Sequence, residues 1–400
     1  MLRVSAGARI VDVPSAPRVY FDHNATTPPL AAVIEATSAA LRDTPGNASS
    51  VHGAGQRAKV AVDEARHDVA RLIGARPSEV VFTSGGTEAD NLAIRGVAEA
   101  APPGRRHIVT SAIEHEAVLQ TCRALTRQGW RVTVVKVDES GTIDPDAIRE
   151  AMTPETALVS VMVANNEIGT LQPVSTISAI ARAAGAVMHT DAVQAIGKVA
   201  VDVEALGVDL LALAAHKFNG PKGVGALWIR PGTKLVAQMT GGRQERHRRA
   251  GTENVPGIVG LGAAARAAAS LAPMTRVGEL RDALEDGILA RVPDTIVNGD
   301  RAGRVPNTTN ISFEGVDAES LLIALDLEGF EVSTGSACSS GTLEPSHVLR
   351  AMGLPPSRAQ NALRFSLGTS NTPAEVDRLL DVLPAIVERA RQLRRAGARR

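Results

Sequence analysis

Apolar residues along this chain form short continuous runs separated by stretches with helical spacing. We predict strands at 80–83, 108–110, 132–137, 158–163, 186–188, 210–213 and 225–229. Helices are predicted between them, over 88–98, 114–127 and 177–184. Continuous apolar runs are typical of strands buried on both faces, and parallel strands need long crossovers. The pattern therefore predicts an α/β fold on a largely parallel sheet.

The pattern changes after an Ala-rich helix predicted over 255–271. Short strands at 310–313, 331–333 and 363–366 then alternate with helices at 318–327 and 374–395. A chain of 400 residues also exceeds what one hydrophobic core usually supports. We predict three parts, with the N-terminal segment packing on the small domain: 1–25, a large domain over 26–270, and a smaller α+β domain over 271–400.

Composition and charge exclude several function classes. Hydrophobic residues make up 44% of the chain, and Lys+Arg and Asp+Glu total 43 each, so no global field draws it to nucleic acid or an anionic membrane. No apolar run is long enough to span a membrane, and residues 1–18 lack the apolar stretch of a secretory signal. Two distant cysteines fit a reducing compartment. We expect a cytoplasmic protein that binds neither membranes nor nucleic acid directly.

Three segments at strand ends carry candidate chemistry. In Ser84-Gly85-Gly86-Thr87, glycines allow a ligand close to the backbone and the next helix offers free N–H groups to an anion, although any strand–helix turn can be glycine-rich. Asp191 can pair with a buried cation or cap the next helix. Lys217 is either a desolvated Schiff-base former or a solvated loop residue.

Two further residues are candidates. His115 stands near a helix start between acids, which keeps it titratable near neutral pH, although a lone histidine is usually structural. Cys338 lies among small residues over 333–342, a setting that predicts an accessible, reactive thiol. Cys122, in an apolar helix, has the setting of a structural cysteine.

Together these segments resemble the cysteine desulfurases, within the class-V aminotransferase-like proteins and the group that contains the housekeeping and nitrogen-fixation enzymes. The resemblance runs in order from residue 20 to 368. It rests on residues 20–28, 46–50 with His52, 83–91, 165–169, 189–194, 216–217, 249–252, 333–340 and 343–346.

The resemblance implies a fold-type I architecture that binds pyridoxal 5'-phosphate (PLP), with a mixed, mostly parallel sheet in the large domain and a homodimer with active sites at its interface. Lys217 would bind the cofactor as a Schiff base, Asp191 would hold its ring nitrogen protonated, and Gln194 would bond its phenolic oxygen. His115 would stack on the ring and move protons. The phosphate would be held by Gly86, Thr87 and His216, with Thr252 from the partner subunit.

The implied reaction converts L-cysteine to L-alanine and leaves a persulfide on Cys338, with His115 accepting the thiol proton. Asn166, also a cofactor contact, and Arg364 would bind substrate, assisted by Asn47. The persulfide would pass to a protein acceptor, such as an iron–sulfur scaffold in iron–sulfur cluster assembly or a thiolation enzyme. Transfer RNA thiolation, DNA phosphorothioation and small-molecule thiolation remain open as destinations.

Two positions depart from the family pattern, and three other interpretations compete. Ala214 replaces a common serine and Arg243 a common glycine, which bears on PLP affinity more than on reaction type. One competitor is a selenocysteine lyase or other fold-type I aminotransferase, which needs no mobile thiol. Another is a non-enzymatic sulfur relay or scaffold, which would lack Lys217 or Asp191. A metal hydrolase built on His189 and Asp191 has no further ligand set in the sequence.

Overall fold

The computed structural model describes residues 17–334 and 345–397 of this chain, with side chains up to residue 394. Its central layer is a seven-stranded sheet in the order β2-β8-β7-β6-β5-β3-β4. β8 runs antiparallel to both neighbours, and the other pairings are parallel. The strands are β1 Val19–Tyr20, β2 Val80–Thr83, β3 His107–Ser111, β4 Arg131–Val135, β5 Thr156–Ser160, β6 Val187–Asp191, β7 Leu210–Ala214, β8 Gly225–Ile229, β9 Thr295–Asn298, β10 Thr308–Phe313, β11 Phe330–Glu331 and β12 Ala362–Ser366. The predicted α/β fold with a mixed, mostly parallel sheet is confirmed.

Helices cover both faces of this sheet. They are α1 Ala31–Asp43, α2 Gly53–Leu72, α3 Gly86–Ala100, α4 Glu116–Thr126, α5 Pro145–Ala151, α6 Val174–Ala183, α7 Val203–Leu206, α8 Val255–Ala268, α9 Ala272–Arg291, α10 Ala318–Leu327, α11 His347–Ala351, α12 Pro356–Gln360 and α13 Pro373–Gly397. α2 and α8 pack closely because a Cβ on Gly262 would lie only 2.7 Å from the Ala65 Cα. Small residues thus replace the aromatic bulk that this chain lacks.

A second hydrophobic cluster lies on the C-terminal part of the chain. The antiparallel sheet β12-β10-β9 packs against α9, α10 and α13. β1 pairs in parallel with β11, and Val19 and Phe21 belong to the same cluster. In the last helix, Val376, Leu379 and Leu383 are buried. These contacts are consistent with the predicted division near residue 270, which stays a prediction.

The helix predicted over 255–271 is confirmed as α8, although it ends three residues earlier than predicted. α8 ends at Ala268 and α9 begins at Ala272, at an angle of 76°. Among the helices described, none alone is long and apolar enough to cross a membrane, although this bent pair meets the criterion jointly.

His107 gives the fold a titratable group remote from the strand ends that carry the candidate site. It is buried on β3, with ring nitrogens 2.8 Å from Thr156 Oγ1 and 2.9 Å from Thr133 Oγ1. Burial, aided by Arg131, lowers the pKa of His107 from 6.5 to about 4. Between about pH 4 and pH 6.5, His107 therefore binds more protons in the unfolded chain than in the folded protein. The contribution of the neutral ring to the free energy of unfolding is complete above pH 6.5 and is lost as the pH falls toward about 4.

We predict that His107→Gln destabilises the protein less at about pH 5 than at about pH 7.5, because the wild type loses this contribution on acidification. Urea unfolding of both proteins at each pH measures the difference. An equal difference in the free energy of unfolding at both pH values would contradict the assignment.

Candidate active site

The candidate residues gather where the parallel strands end. Asp191 is the last residue of β6, and Lys217 lies one turn beyond β7. His115 precedes α4 after β3, and the glycine turn joins β2 to α3. Ligands of α/β sheets bind at this edge.

The Lys217 amine is held over the N-terminal segment. Its Nζ donates to the backbone carbonyls of Asn24 at 2.6 Å and Ala25 at 2.8 Å. The Lys217 side chain is half-buried. Its positive charge lies close to Asp191 and His115, and it lowers the pKa of both residues. Both carbonyls are neutral acceptors, and the amine lies at the edge of the sheet where ligands of α/β proteins bind.

Asp191 is 5% exposed, and its Oδ1 accepts from the backbone N–H of Val193 at 2.8 Å. Burial raises the pKa of Asp191, whereas His115 and Lys217 oppose the rise. Two other buried acids lie nearby: burial raises the pKa of Glu114 to about 8, and the pKa of Asp90 is also raised by burial. When those two stay protonated, Asp191 is the carboxylate that can carry charge opposite a protonated ring nitrogen.

His115 is the N-cap of α4, a role that sets its tautomer. Its Nδ1 accepts from the backbone N–H of Ala117 at 3.1 Å, which favours the proton on Nε2. Burial lowers the pKa of His115, so the neutral ring is favoured. In this arrangement Nε2 is a donor. The ring can accept a thiol proton only if the Ala117 hydrogen bond is released or Nε2 first gives up its proton.

The glycine turn leaves an open cradle at the start of α3. Gly85 has φ 156°, and an added Cβ there would meet nothing within 4 Å. Gly86 packs tightly instead, since its Cβ would lie 2.7 Å from Val193 Cγ2. Thr87 is exposed in the first turn of the fifteen-residue helix, whose free N–H groups favour an anion. His216, whose Nδ1 lies 3.2 Å from Thr26 Oγ1, follows β7, which β8 separates from β2 in the sheet.

Arg364, on β12, contacts the backbone of Asn166. Arg364 is 2% exposed, and it donates to the Asn166 backbone carbonyl at 2.9 Å and to Asp22 Oδ1 at 2.6 Å. Its Nε has no hydrogen-bond partner within the described part of the chain. A buried guanidinium with a spare donor is suited to a carboxylate ligand.

Two residues that carried no role in the sequence analysis connect the site. The carbonyl of Asn24 accepts from Lys217 and from Gln194 Nε2, the latter at 2.9 Å. Lys198 donates to Asn24 Oδ1 at 2.8 Å and to Gln194 Oε1 at 2.6 Å. Asn24 lies in a segment already prominent in the sequence, whereas Lys198 has only its spacing of four from Gln194 as a signal.

Other predicted residues are not joined to this set. The Asn47 side chain accepts from the backbone N–H of Ser49 at 2.8 Å and is exposed, as is Thr252. Within residues 17–334 and 345–397, no hydrogen bond or ion pair links either side chain to Arg364. Cys338 lies outside the described residues.

The two departures from the family pattern have different settings. Ala214 is buried at the end of β7, and its Cβ would lie 3.6 Å from a Cβ on Gly86, so it lines the cradle. Arg243 is exposed. Among the described residues, no cluster of three His, Cys, Asp or Glu side chains could hold a metal ion.

Fold and site together define the fold-type I class of PLP proteins. Residues 19–379 match the family model described as aminotransferase class-V, and the chain belongs to that family. It is 51% identical to a cysteine desulfurase of Cereibacter sphaeroides, over 95% of this chain and 98% of the relative. It is 48% identical to the cysteine desulfurase IscS of Dictyoglomus turgidum, over 94% and 96%. A solved NifS-like protein superposes with a TM-score of 0.88 at 38% identity, over 93% of this chain and 99% of that one.

The site's residues fit PLP. The cradle at Gly85 has room for a phosphate at a helix N-terminus, Asp191 is a buried carboxylate, and Lys217 carries a primary amine close to Asp191. Asp191 and Lys217 lie close together because β6 and β7 are parallel neighbours whose ends meet at the same edge of the sheet.

Proposed function

We propose that this protein is a PLP-dependent cysteine desulfurase, which converts L-cysteine to L-alanine and leaves the sulfur as a persulfide on Cys338. The meeting of Lys217, Asp191 and His115 at the strand ends carries this proposal. The relatives named cysteine desulfurase, matched over nearly the whole chain, support the substrate.

The chain's residues would hold the cofactor at both ends. Gly86, Thr87 and His216, with Thr252 of a second copy, would bind the phosphate, while Asp191 would pair with the ring nitrogen and Gln194 with the phenolic oxygen. When bound, PLP supplies an electron-accepting ring that stabilises negative charge on the substrate's α-carbon. Lys217 Nζ would anchor the cofactor and, once released, take the α-proton.

Arg364 would orient the substrate. Its Nε and a remaining N–H of the terminal nitrogens could pair with the α-carboxylate while Asp22 and the Asn166 carbonyl hold the guanidinium. The Asn166 side chain, half-exposed beside Arg364, would contact substrate and cofactor, with Asn47 completing the site.

Sulfur transfer balances without an external oxidant. The Cys338 thiolate attacks the substrate sulfur, an S–S bond forms, and the carbon–sulfur bond breaks with its electron pair going to carbon. That carbon takes a proton and becomes the methyl group of alanine. The thiol proton would go first to His115 Nδ1, once that nitrogen releases the Ala117 N–H, and the protonated ring could then give a proton to the carbon after the C–S bond breaks.

We further propose a cytoplasmic homodimer with the domain limits predicted above. The persulfide would go to a protein acceptor, in iron–sulfur cluster assembly or in a thiolation pathway. Because the sulfur would remain covalently bound to Cys338 as a persulfide and would not be released as sulfide, the acceptor must dock beside Cys338.

The proposal is tested by incubating the purified PLP-loaded protein with L-cysteine and a thiol reductant. Alanine and sulfide should appear in equal amounts. L-Selenocysteine, supplied separately, distinguishes a selenocysteine lyase. Turnover of selenocysteine without measurable alanine from cysteine would contradict the proposal.

A further inference from the structure

Lys198 is a buried lysine that the proposed chemistry does not use. It is 7% exposed and follows Gly197, whose φ of 75° shapes the turn after Gln194. A side chain at Gly197 would also crowd Phe218, since its Cβ would lie 3.0 Å from the Phe218 Cβ. This turn directs Lys198 inward, toward the strand ends.

Two side-chain oxygens accept hydrogen bonds from the Lys198 amine. They are Gln194 Oε1 at 2.6 Å and Asn24 Oδ1 at 2.8 Å, and neither belongs to a carboxylate. Burial, together with the charges of Lys217 and Arg364, holds the pKa of Lys198 well below its usual range. A neutral amine keeps two donor hydrogens, enough for both oxygens.

These contacts determine which end of the Gln194 amide is available to a ligand. Oε1 is occupied by Lys198, and one Nε2 hydrogen is donated to the Asn24 carbonyl at 2.9 Å. The second Nε2 hydrogen is the donor left over. With the amide flipped, Oε1 would face the Asn24 carbonyl, so an acceptor would meet an acceptor, and the short hydrogen bond that Oε1 accepts from Lys198 would be lost.

We propose that Lys198 is a positioning residue, which holds the Gln194 carboxamide with Nε2 toward the phenolic oxygen of PLP. The inference rests on the proposed function, because Gln194 acts on that oxygen only when PLP is bound. Lys198 itself would touch neither cofactor nor substrate.

Asn24 makes this arrangement rigid. Its side-chain oxygen also accepts from Asn307 at 3.0 Å, and its Nδ2 donates to Thr308 Oγ1 at 2.8 Å. Asn24 therefore links Lys198 and Gln194 to Asn307 and to Thr308 at the start of β10. A freely rotating lysine could not impose one amide orientation.

The test uses Lys198→Met in the full-length protein, with absorbance titration of bound PLP against pH. Loss of a donor makes the ionised phenolic oxygen more basic, so the pH midpoint of the visible band should rise by about half to one unit. The PLP dissociation constant should rise roughly two- to tenfold. Gln194→Leu should give the same midpoint shift, and Lys136→Met, the same change at an exposed lysine, should give none.

The double variant Lys198→Met, Gln194→Leu decides between positioning and an independent structural role. Removing both partners leaves fewer unsatisfied buried groups, so it should fold even if Lys198→Met does not. Its midpoint should equal that of Gln194→Leu alone. A further shift in the double variant, or a wild-type midpoint in folded Lys198→Met, would overturn the inference alone. A wild-type protein that binds no PLP would instead refute the proposed function, and the inference with it.

Discussion

Serine in place of Cys338 is expected to abolish sulfide release from L-cysteine while PLP stays bound. A serine hydroxyl is not ionised near neutral pH and cannot replace a thiolate as the attacking group. Turnover should fall by roughly a thousandfold or more, the scale on which enzymes lose activity with their nucleophile. Sulfide assay and the visible spectrum of the same preparation measure the two properties.

Cys122→Ser is the matched control for this change. Cys122 is buried on α4, and burial raises the pKa of its thiol to about 12, so it stays protonated and unreactive. Activity should remain near wild type. Full turnover in Cys338→Ser, or a large loss of activity in Cys122→Ser, would contradict the assignment of Cys338 as the sulfur carrier.

Lys217→Ala is expected to abolish turnover and the covalent attachment of PLP. The variant loses the amine that anchors the cofactor and the base that takes the α-proton. PLP would be bound only through its phosphate and ring contacts, and would be removed by dialysis more readily than from the wild type.

Borohydride reduction followed by peptide mapping gives the independent check. In the wild type the cofactor should be fixed on Lys217. Lys198 and Lys222 are the informative alternatives. Lys198 is buried beside the site, and Lys222 follows Lys217 in the same loop. Label on either of these, with Lys217 unmodified, would contradict the assignment.

The central sheet was predictable because its strands are continuous apolar runs. β2 and β8 have the predicted bounds, and the other central strands differ by a few residues at their ends. α2 was not predicted, since its buried stripe is largely Ala58, Ala65 and Ala70, which carry little hydrophobic contrast. α9 was missed although Leu280, Leu284 and Ile288 have helical spacing, because Pro273 and the preceding Ala-rich helix obscured its start.

The positions of those candidate residues that follow a strand could be predicted from the sequence. Asp191 and Lys217 lie three and four residues past the predicted apolar runs 186–188 and 210–213, so parallel strand order alone places both at the same edge of the sheet. The hydrogen bond from Ala117 to His115, and the positions of Asn24 and Lys198, depend on contacts between distant segments. Local sequence contains little signal for such contacts, and a lysine outside regular structure is usually solvated.

The most direct test of the central claim is a single turnover with isotopically labelled L-cysteine, quenched without reductant. The account predicts one alanine per active site and one labelled sulfur on the peptide that contains Cys338, with none on the peptide that contains Cys122. Alanine formed with no sulfur retained on the Cys338 peptide would contradict it.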